Sequence, residues 1–226
     1  MDRTYPTIRV ILTGSTGMVG EGVLHECLQR SDVISVLVVN RRPCGVSHPK
    51  LRELIHEDFF HLTPIREQLS GYDACFFCLG VSSVGMEKNK YYRLTYTLTM
   101  HFAQIVCEQN PGMAFCYISG AGTDSTEKGR RAWARVKGKT ENDLMKLPFS
   151  RVFAVRPAFI RATPGLLHIN PYYKYISWLF PLGRAIYPGG FVTMKELGNA
   201  MINAVELPYD KAVMEGKDII QLAAVN

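Results

Sequence analysis

Short apolar runs alternate with segments of helical spacing along most of the chain. Ile8–Thr13 and Val33–Asn40 read as the first two strands, and a short third lies around Leu54–His56. The fourth, Ala74–Leu79, is almost continuously apolar, the composition of a strand covered on both faces. Leu94, Leu98, Phe102, Ile105 and Val106 then fall on one helical stripe between Lys88 and Glu108. Ala114–Ser119 and Val152–Arg156 read as the fifth and sixth strands, the latter stopped by Pro157. Such alternation predicts an α/β fold, a doubly wound parallel sheet with right-handed crossovers. Ligands of these sheets bind outside the carboxyl ends of the strands.

Beyond Pro157 the pattern changes. Residues 161–190 are rich in proline, glycine and aromatics, with no clean alternation. A helix over Met194–Val205 and a strand-like Asp218–Ala223 close the chain. The expectation is one domain over 1–226, with a nucleotide-binding core at 1–157 and a small C-terminal substrate lobe and closing elements at 158–226. The aromatic run 171–181 fits three roles: a short helix packed on the sheet, a pocket wall, or a partner or membrane surface. It is too short and polar to span a bilayer.

The junction between the first strand and first helix carries the strongest chemistry. After Thr13 come Gly14-Ser15-Thr16-Gly17-Met18-Val19-Gly20, and helical spacing begins at Val23 and Leu24. A strand, a glycine-rich turn and a helix N-terminus form an anion site, with backbone N–H groups pointing outward and the helix dipole favouring negative charge. Gly14 suits the tight turn, Gly17 the close approach of a pyrophosphate, and Gly20 helix–strand packing. With the second strand behind it, this is a βαβ unit of dinucleotide-binding length, a Rossmann-type arrangement. The spacing is not G-x-G-x-x-G, and no Gly-Lys-Ser/Thr follows, which argues against a Walker-type loop.

At 226 residues and 47% hydrophobic content the chain can build one good-sized core but not two. The net charge of +6 favours an anionic ligand or surface. Much of that excess sits at Lys128, Arg130, Arg131, Arg135, Lys137 and Lys139, a solvated helix face beside an anionic cofactor. No nucleic-acid motif accompanies it, so no nucleic-acid partner is expected. The six cysteines show no secreted disulfide framework, and Cys75 and Cys78, three apart on a strand, face opposite sides. The six histidines form no metal-ligand spacing, so no metal is expected. The first residues open no apolar signal segment and no stretch is long enough to be transmembrane, which together with reduced thiols leads to the expectation of a cytoplasmic protein.

The end of the second strand reads the cofactor. Asn40-Arg41-Arg42 lies twenty residues beyond Gly20, where a carboxylate would bond the ribose hydroxyls and repel a 2′-phosphate. Two guanidinium groups stand there instead, suited to clamping a phosphate or stacking on adenine. The plainer alternative is a pair of exposed loop arginines. NADP(H) is therefore favoured over NAD(H). Asp58, with Phe59 beside it, either accepts a bond from the adenine amino group or forms a turn.

Thr13-Gly14-x-x-Gly17-x-x-Gly20, Asn40-Arg41-Arg42, Cys78-Leu79-Gly80-Val81 and Arg156-Pro157 fall in an order that resembles the atypical and extended short-chain dehydrogenases, the epimerase-like NAD(P)-binding proteins. The likeness is nearest to the Tat-interacting-protein-like oxidoreductase group, firm to Pro157 and weak beyond. It implies that Leu79, Gly80 and Val81 line the cofactor, as does Ser82, and that Pro157 leads past the nicotinamide. The family's chemistry uses a Tyr-x-x-x-Lys pair with a Ser or Thr near the fifth strand. Here the segment is Trp133-Ala134-Arg135-Val136-Lys137, so Lys137 fits and Trp133 stands at the tyrosine position. An indole N–H neither accepts a hydrogen bond nor ionises in the accessible range, so it is no general acid or base. Three explanations stay open: lost oxidoreductase chemistry, recruitment of another group (Tyr117, Tyr172, Tyr173 or a water), or a different register. Ser119 is the candidate for a substrate hydrogen bond, and a turn serine satisfying its own backbone is the alternative.

Two functions compete on these residues. One is an NADP(H)-binding oxidoreductase of short-chain-dehydrogenase type, acting on a small carbonyl or hydroxyl substrate, with a homodimer as the assembly considered. The other is a catalytically silent NADP(H)-binding sensor or scaffold acting through protein interaction.

Overall fold

The computed structural model describes residues 6–169 and 180–225. Its centre is one parallel sheet of seven strands in the order β3-β2-β1-β4-β5-β6-β9. The strands are β1 Ile8–Thr13, β2 Val33–Asn40, β3 Leu51–Ile55, β4 Ala74–Phe77, β5 Ala114–Ile118, β6 Arg151–Arg156 and β9 Val213–Glu215. Strand order reverses between β1 and β4, the switch point at which such sheets bind ligands. A separate parallel pair, β7 Phe159–Arg161 with β8 Phe191–Thr193, lies beyond Pro157.

Helices cover both faces, which is why β1, β2 and β4 are apolar nearly throughout. On one face α1 Met18–Gln29 packs against α6 Met194–Glu206, over a core holding Val10, Leu12, Phe76 and Val155. On the other, α3 Leu98–Gln109 covers Ile11, Leu37, Phe77 and Phe115. The remaining helices are α2 Lys88–Tyr92, α4 Ala132–Leu144, α5 Phe180–Ile186 and α7 Gly216–Ala223. None of the described helices is long and apolar enough to cross a membrane. The residues beyond Pro157 divide in two. β7 and β8 pair in a sheet of their own, although Ile160 and Val192 join the same core, whereas β9 extends the main sheet and α6 and α7 pack into its core.

The short strands β7, β8 and β9 have no counterpart in the sequence reading, and two further stretches differ from it in type. Asp218–Ala223 belongs to helix α7 rather than to a strand; Glu215 and Asp218 cap it reciprocally, each side chain accepting from the other's backbone N–H. The predicted helix from Lys88 to Glu108 is interrupted by a π-helical turn at Arg93–Thr97. The wider turn buries Tyr91 and Thr95 and leaves Leu94 only half-buried. The aromatic run 171–181, with Tyr172 and Tyr173, lies outside the described residues except for Phe180 and Pro181.

At the far end of the core, Arg30 bonds Asp32 at 2.9 and 3.1 Å and reaches Glu206 at 3.1 Å. The Glu206 side chain is fully buried and its Oε1 has no partner. Burial, with the Asp32 charge adding to it, pushes the Glu206 carboxyl up to about 8. An acid whose folded pKa is raised stabilises the fold below its unfolded pKa and loses that contribution as pH rises through the folded value. Denaturation between pH 5 and 9 is expected to show stability falling by up to about 1.4 kcal/mol per pH unit from this group. Glu206→Gln removes that slope; an unchanged slope in the variant would assign it elsewhere.

Candidate functional site

The glycine turn is built on contacts that exclude side chains. Gly14 has φ +78°, and a Cβ there would stand 2.8 Å from the Cys78 and Leu79 backbone. A Cβ on Gly20 would stand 2.1 Å from the Gly14 carbonyl oxygen. Gly17 is different: its added Cβ meets only the Gly14 oxygen, at 3.5 Å, an ordinary contact. Gly14 and Gly20 thus serve packing, and Gly17 faces a cradle that a side chain would fill. The Gly17 N–H donates to the Gly14 carbonyl at 3.0 Å, and the first-turn amides of α1 that follow are the groups a helix N-terminus offers to an anion. Met18 and Val19 form the first turn. Thr13 Oγ1 is buried at the carboxyl end of β1 with no partner among the described residues.

Other predicted residues divide between scaffold and surface. Asn40 Nδ2 donates to Ser15 Oγ at 2.6 Å, tying the end of β2 to the glycine turn. Both side chains are buried and spent on that bond. Thr16 is exposed on the turn. Arg41 and Arg42 are exposed and have no ion pair among the described residues. Arg41, Asp58, Phe59, Leu79, Gly80 and Val81 come together around one cleft of about 140 Å³. Within it Asp58 Oδ1 accepts from Phe60 N at 2.9 Å, the bond that the turn alternative calls for. Phe59 is buried and stacked on Phe102 at 5.9 Å.

Two carboxylates that sequence reasoning passed over hold the margins of this region. Glu53 on β3 accepts from Cys44 N at 2.7 Å and more weakly from Asn40, shaping the loop that carries both arginines. Glu21, in the first turn of α1, accepts from Leu167 N, His168 N and His168 Nδ1 at 2.5, 2.6 and 3.0 Å. That pins the chain beyond β7 onto the helix behind the cradle. Neither partner is close in sequence, so no local pattern could have revealed them.

The second half of the site is organised by α4. Lys137 reaches across to donate to the Ser119 carbonyl, and its ammonium lies 4.0 Å from where a Cβ on Gly120 would be. Burial pulls its pKa down, partly offset by Glu141 one turn on. Trp133 is half-buried and its six-membered ring lies on Gly122, 3.5 Å from an added Cβ. Ser119 is buried, and its hydroxyl donates to the Val155 carbonyl at 3.3 Å. That bond is the one the turn-serine alternative calls for. Pro157 offers its carbonyl to Ala121 N at 2.9 Å, closing the loop after β5 onto the end of β6. Tyr117 is buried within the β5 core, and burial pushes its phenol far above the accessible range. Among the described residues no group of histidines, cysteines or carboxylates could hold a metal ion.

Comparison with known proteins places this geometry. No family model matches the chain. It is 25% identical over 154 residues to "Protein FMP52, mitochondrial" of Meyerozyma guilliermondii, covering 68% of this chain and 65% of that protein. The chain thus spans just under two thirds of that relative's length. The protein of the same name from Eremothecium gossypii is 23% identical over 228 residues, covering 95% and 97% of the two chains. Among solved structures, ADP-L-glycero-D-manno-heptose-6-epimerase of Helicobacter pylori superposes with TM-score 0.67 at 14% identity, over 99% of this chain and 82% of that one. A short chain dehydrogenase family protein of Francisella tularensis gives 0.63 at 16%, over 89% and 92%. MoeE5 in complex with UDP-glucuronic acid and NAD gives 0.66 at 18%, over 96% and 81%. The fold is that of the epimerase-type short-chain dehydrogenases, as the motif order implied. The cytoplasmic expectation is overturned, because the relatives are named as mitochondrial proteins.

The three glycines predict a separable outcome. Gly20→Ala should lower the melting temperature by forcing α1 away from the turn. Gly17→Val should keep the native melting temperature and abolish dinucleotide binding in calorimetry. Unchanged affinity in a folded Gly17→Val protein would remove the turn from the site.

Proposed function

We propose that this chain binds NADP(H) and acts as an oxidoreductase on a small carbonyl or hydroxyl substrate at the carboxyl ends of β4, β5 and β6. The observation that carries the reading is the open space at Gly17 together with the Arg41–Val81 cleft, which the exposed Arg41 lines and exposed Arg42 follows in the chain. The pyrophosphate belongs on the amides at the start of α1, the adenine in the cleft, and a 2′-phosphate against Arg41 and Arg42. Lys137, held at the Ser119 carbonyl beside Gly120, is the residue for the nicotinamide ribose. The cofactor supplies hydride transfer; the chain's own task is to bind it, orient it and deliver a proton to or from the substrate oxygen. That the solved neighbour MoeE5 is described with NAD supports a nicotinamide cofactor.

The second reading, a silent NADP(H)-binding sensor, is favoured by one observation. Neither Trp133 nor the buried Ser119 hydroxyl offers a transferable proton at the α4 face.

Two measurements separate these possibilities. Arg41→Ala with Arg42→Ala should weaken NADPH binding by about 1.5–3 kcal/mol while leaving NADH nearly untouched, since a charge-assisted phosphate contact is lost. Equal weakening of both cofactors, or of neither, refutes the arginine assignment. NADPH oxidation over a panel of small ketones and aldehydes should be very weak in the native protein and rise in Trp133→Tyr. General acid–base catalysis contributes about 10²–10⁴-fold, so a partial gain is visible. Robust native turnover that survives Trp133→Phe would mean that another residue carries the proton.

A further inference from the structure

A second cavity, of about 530 Å³, opens at the carboxyl ends of β5, β6 and β9. Its volume lies in the range of small-molecule sites. One wall is the turn Ala121–Gly122, the same turn whose glycines adjoin Trp133 and Lys137. The opposite wall is the start of α7, with Lys217 and Gln221, and Tyr187 closes one side. The cavity therefore adjoins the α4 face from the substrate side of the sheet.

Arg156 is the fixed feature of this cavity. It stands at the last position of β6, with its side chain only 11% exposed. Glu141, itself 1% exposed, receives Nε at 3.0 Å and Nη2 on its two oxygens, and Nη2 also donates to Ser125. Glu141 and Ser125 hold the plane of the guanidinium from behind. Among the described residues no bond engages Nη1, which leaves that edge for the cavity that the residue lines. A guanidinium held by a buried carboxylate loses little side-chain freedom when a ligand docks, which strengthens each bond formed.

The other charges on the wall are mostly satisfied internally. Lys211 bonds Asp218, and the carboxylates of Glu215 and Asp218 cap α7. Lys217 is exposed and has no bond among the described residues, and its stem crosses Gly189, 2.8 Å from an added Cβ. The donors left for a ligand include the Arg156 edge, the Lys217 ammonium and the Gln221 amide, while the Glu215 charge acts on Arg156 from the same wall. Two of these three donors are cations.

We propose that this cavity is the substrate pocket and that Arg156 and Lys217 read an oxyanion, a carboxylate or a phosphate, carried by the substrate. The proposal rests on the oxidoreductase reading for the word substrate. The anion subsite itself stands on the cavity alone.

The experiment titrates malonate, inorganic phosphate and neutral malonamide into the full chain, with and without saturating NADPH, by calorimetry. Saturable binding of malonate or phosphate, with none of malonamide, is expected, and the stronger arm identifies the head group. Arg156→Ala strands the buried Glu141 charge and is expected to unfold, so the deciding variant is Lys217→Met, which keeps the stem over Gly189. Lys217→Met should weaken the anion at least tenfold at an unchanged melting temperature and NADPH affinity. Gly17→Val should leave anion binding intact, which separates this subsite from the pyrophosphate cradle. Absence of saturable anion binding, a loss below tenfold in Lys217→Met, or a loss in Gly17→Val overturns the proposal. A protein that binds malonate but not NADPH keeps the subsite and refutes the cofactor reading instead.

Discussion

The contact on which the site depends is between Gly20 and the carbonyl of Gly14. With no Cβ at position 20, α1 starts directly against the end of β1, at a separation that one methyl group would not allow. Interiors packed this closely transmit displacement rather than absorb it. Gly14 also abuts the backbone of Cys78 and Leu79, where the chain leaves β4. Asn40, at the end of β2, reaches back to Ser15 in the same turn. Three strand ends therefore take their positions from one glycine-to-carbonyl contact. The Gly17 cradle and the Arg41–Val81 cleft are formed by those ends.

The other half of the site depends on charge. Lys137 and Glu141 lie one turn apart on α4, and Glu141 binds Arg156 from the neighbouring strand. Buried charges need partners, and removing one member of such a pair is more costly than the pair's net contribution. The carboxylate between the two cations allows the Lys137 ammonium to sit against Ser119 and the Arg156 guanidinium to sit beside the second cavity. Cofactor side and cavity side are joined through one residue that touches neither ligand region itself. Glu141 is accordingly a positioning residue.

The parallel sheet was legible because its strands are buried on both faces and stand out as apolar runs. The glycine turn was legible because only backbone geometry explains three glycines between a strand and a helix. Asp218–Ala223 was not, since a short stretch with Ile219, Ile220 and Leu222 fits either period. What decides it is the reciprocal cap of Glu215 and Asp218, which has an acid where a serine or threonine is the usual signal. The π turn at Arg93–Thr97 left no mark in a stripe judged at 3.6 residues per turn. Glu21, Glu53 and Glu141 act on residues brought near only by the fold, so their roles had no sequence signature. Ser119 and Asp58 carried two readings each, and the structure gives both to backbone bonds.

Trp133 separates two tasks that a tyrosine would combine. A phenol at that position would draw on the Lys137 charge, which would then stabilise the phenolate as well as hold the ribose. An indole makes no such demand, because it has no ionised form to stabilise. Lys137, with its pKa drawn down by burial and partly restored by Glu141, keeps its hold on the Ser119 carbonyl and the loop after β5. On the proposed reading, cofactor retention here is independent of proton transfer. The packing agrees with that division. The indole ring rests on Gly122, whose positive φ leaves a flat backbone surface, so the side chain at 133 supports the wall of the second cavity. On the same reading, Trp133 without proton chemistry of its own still shapes the space in which a substrate would turn toward the nicotinamide.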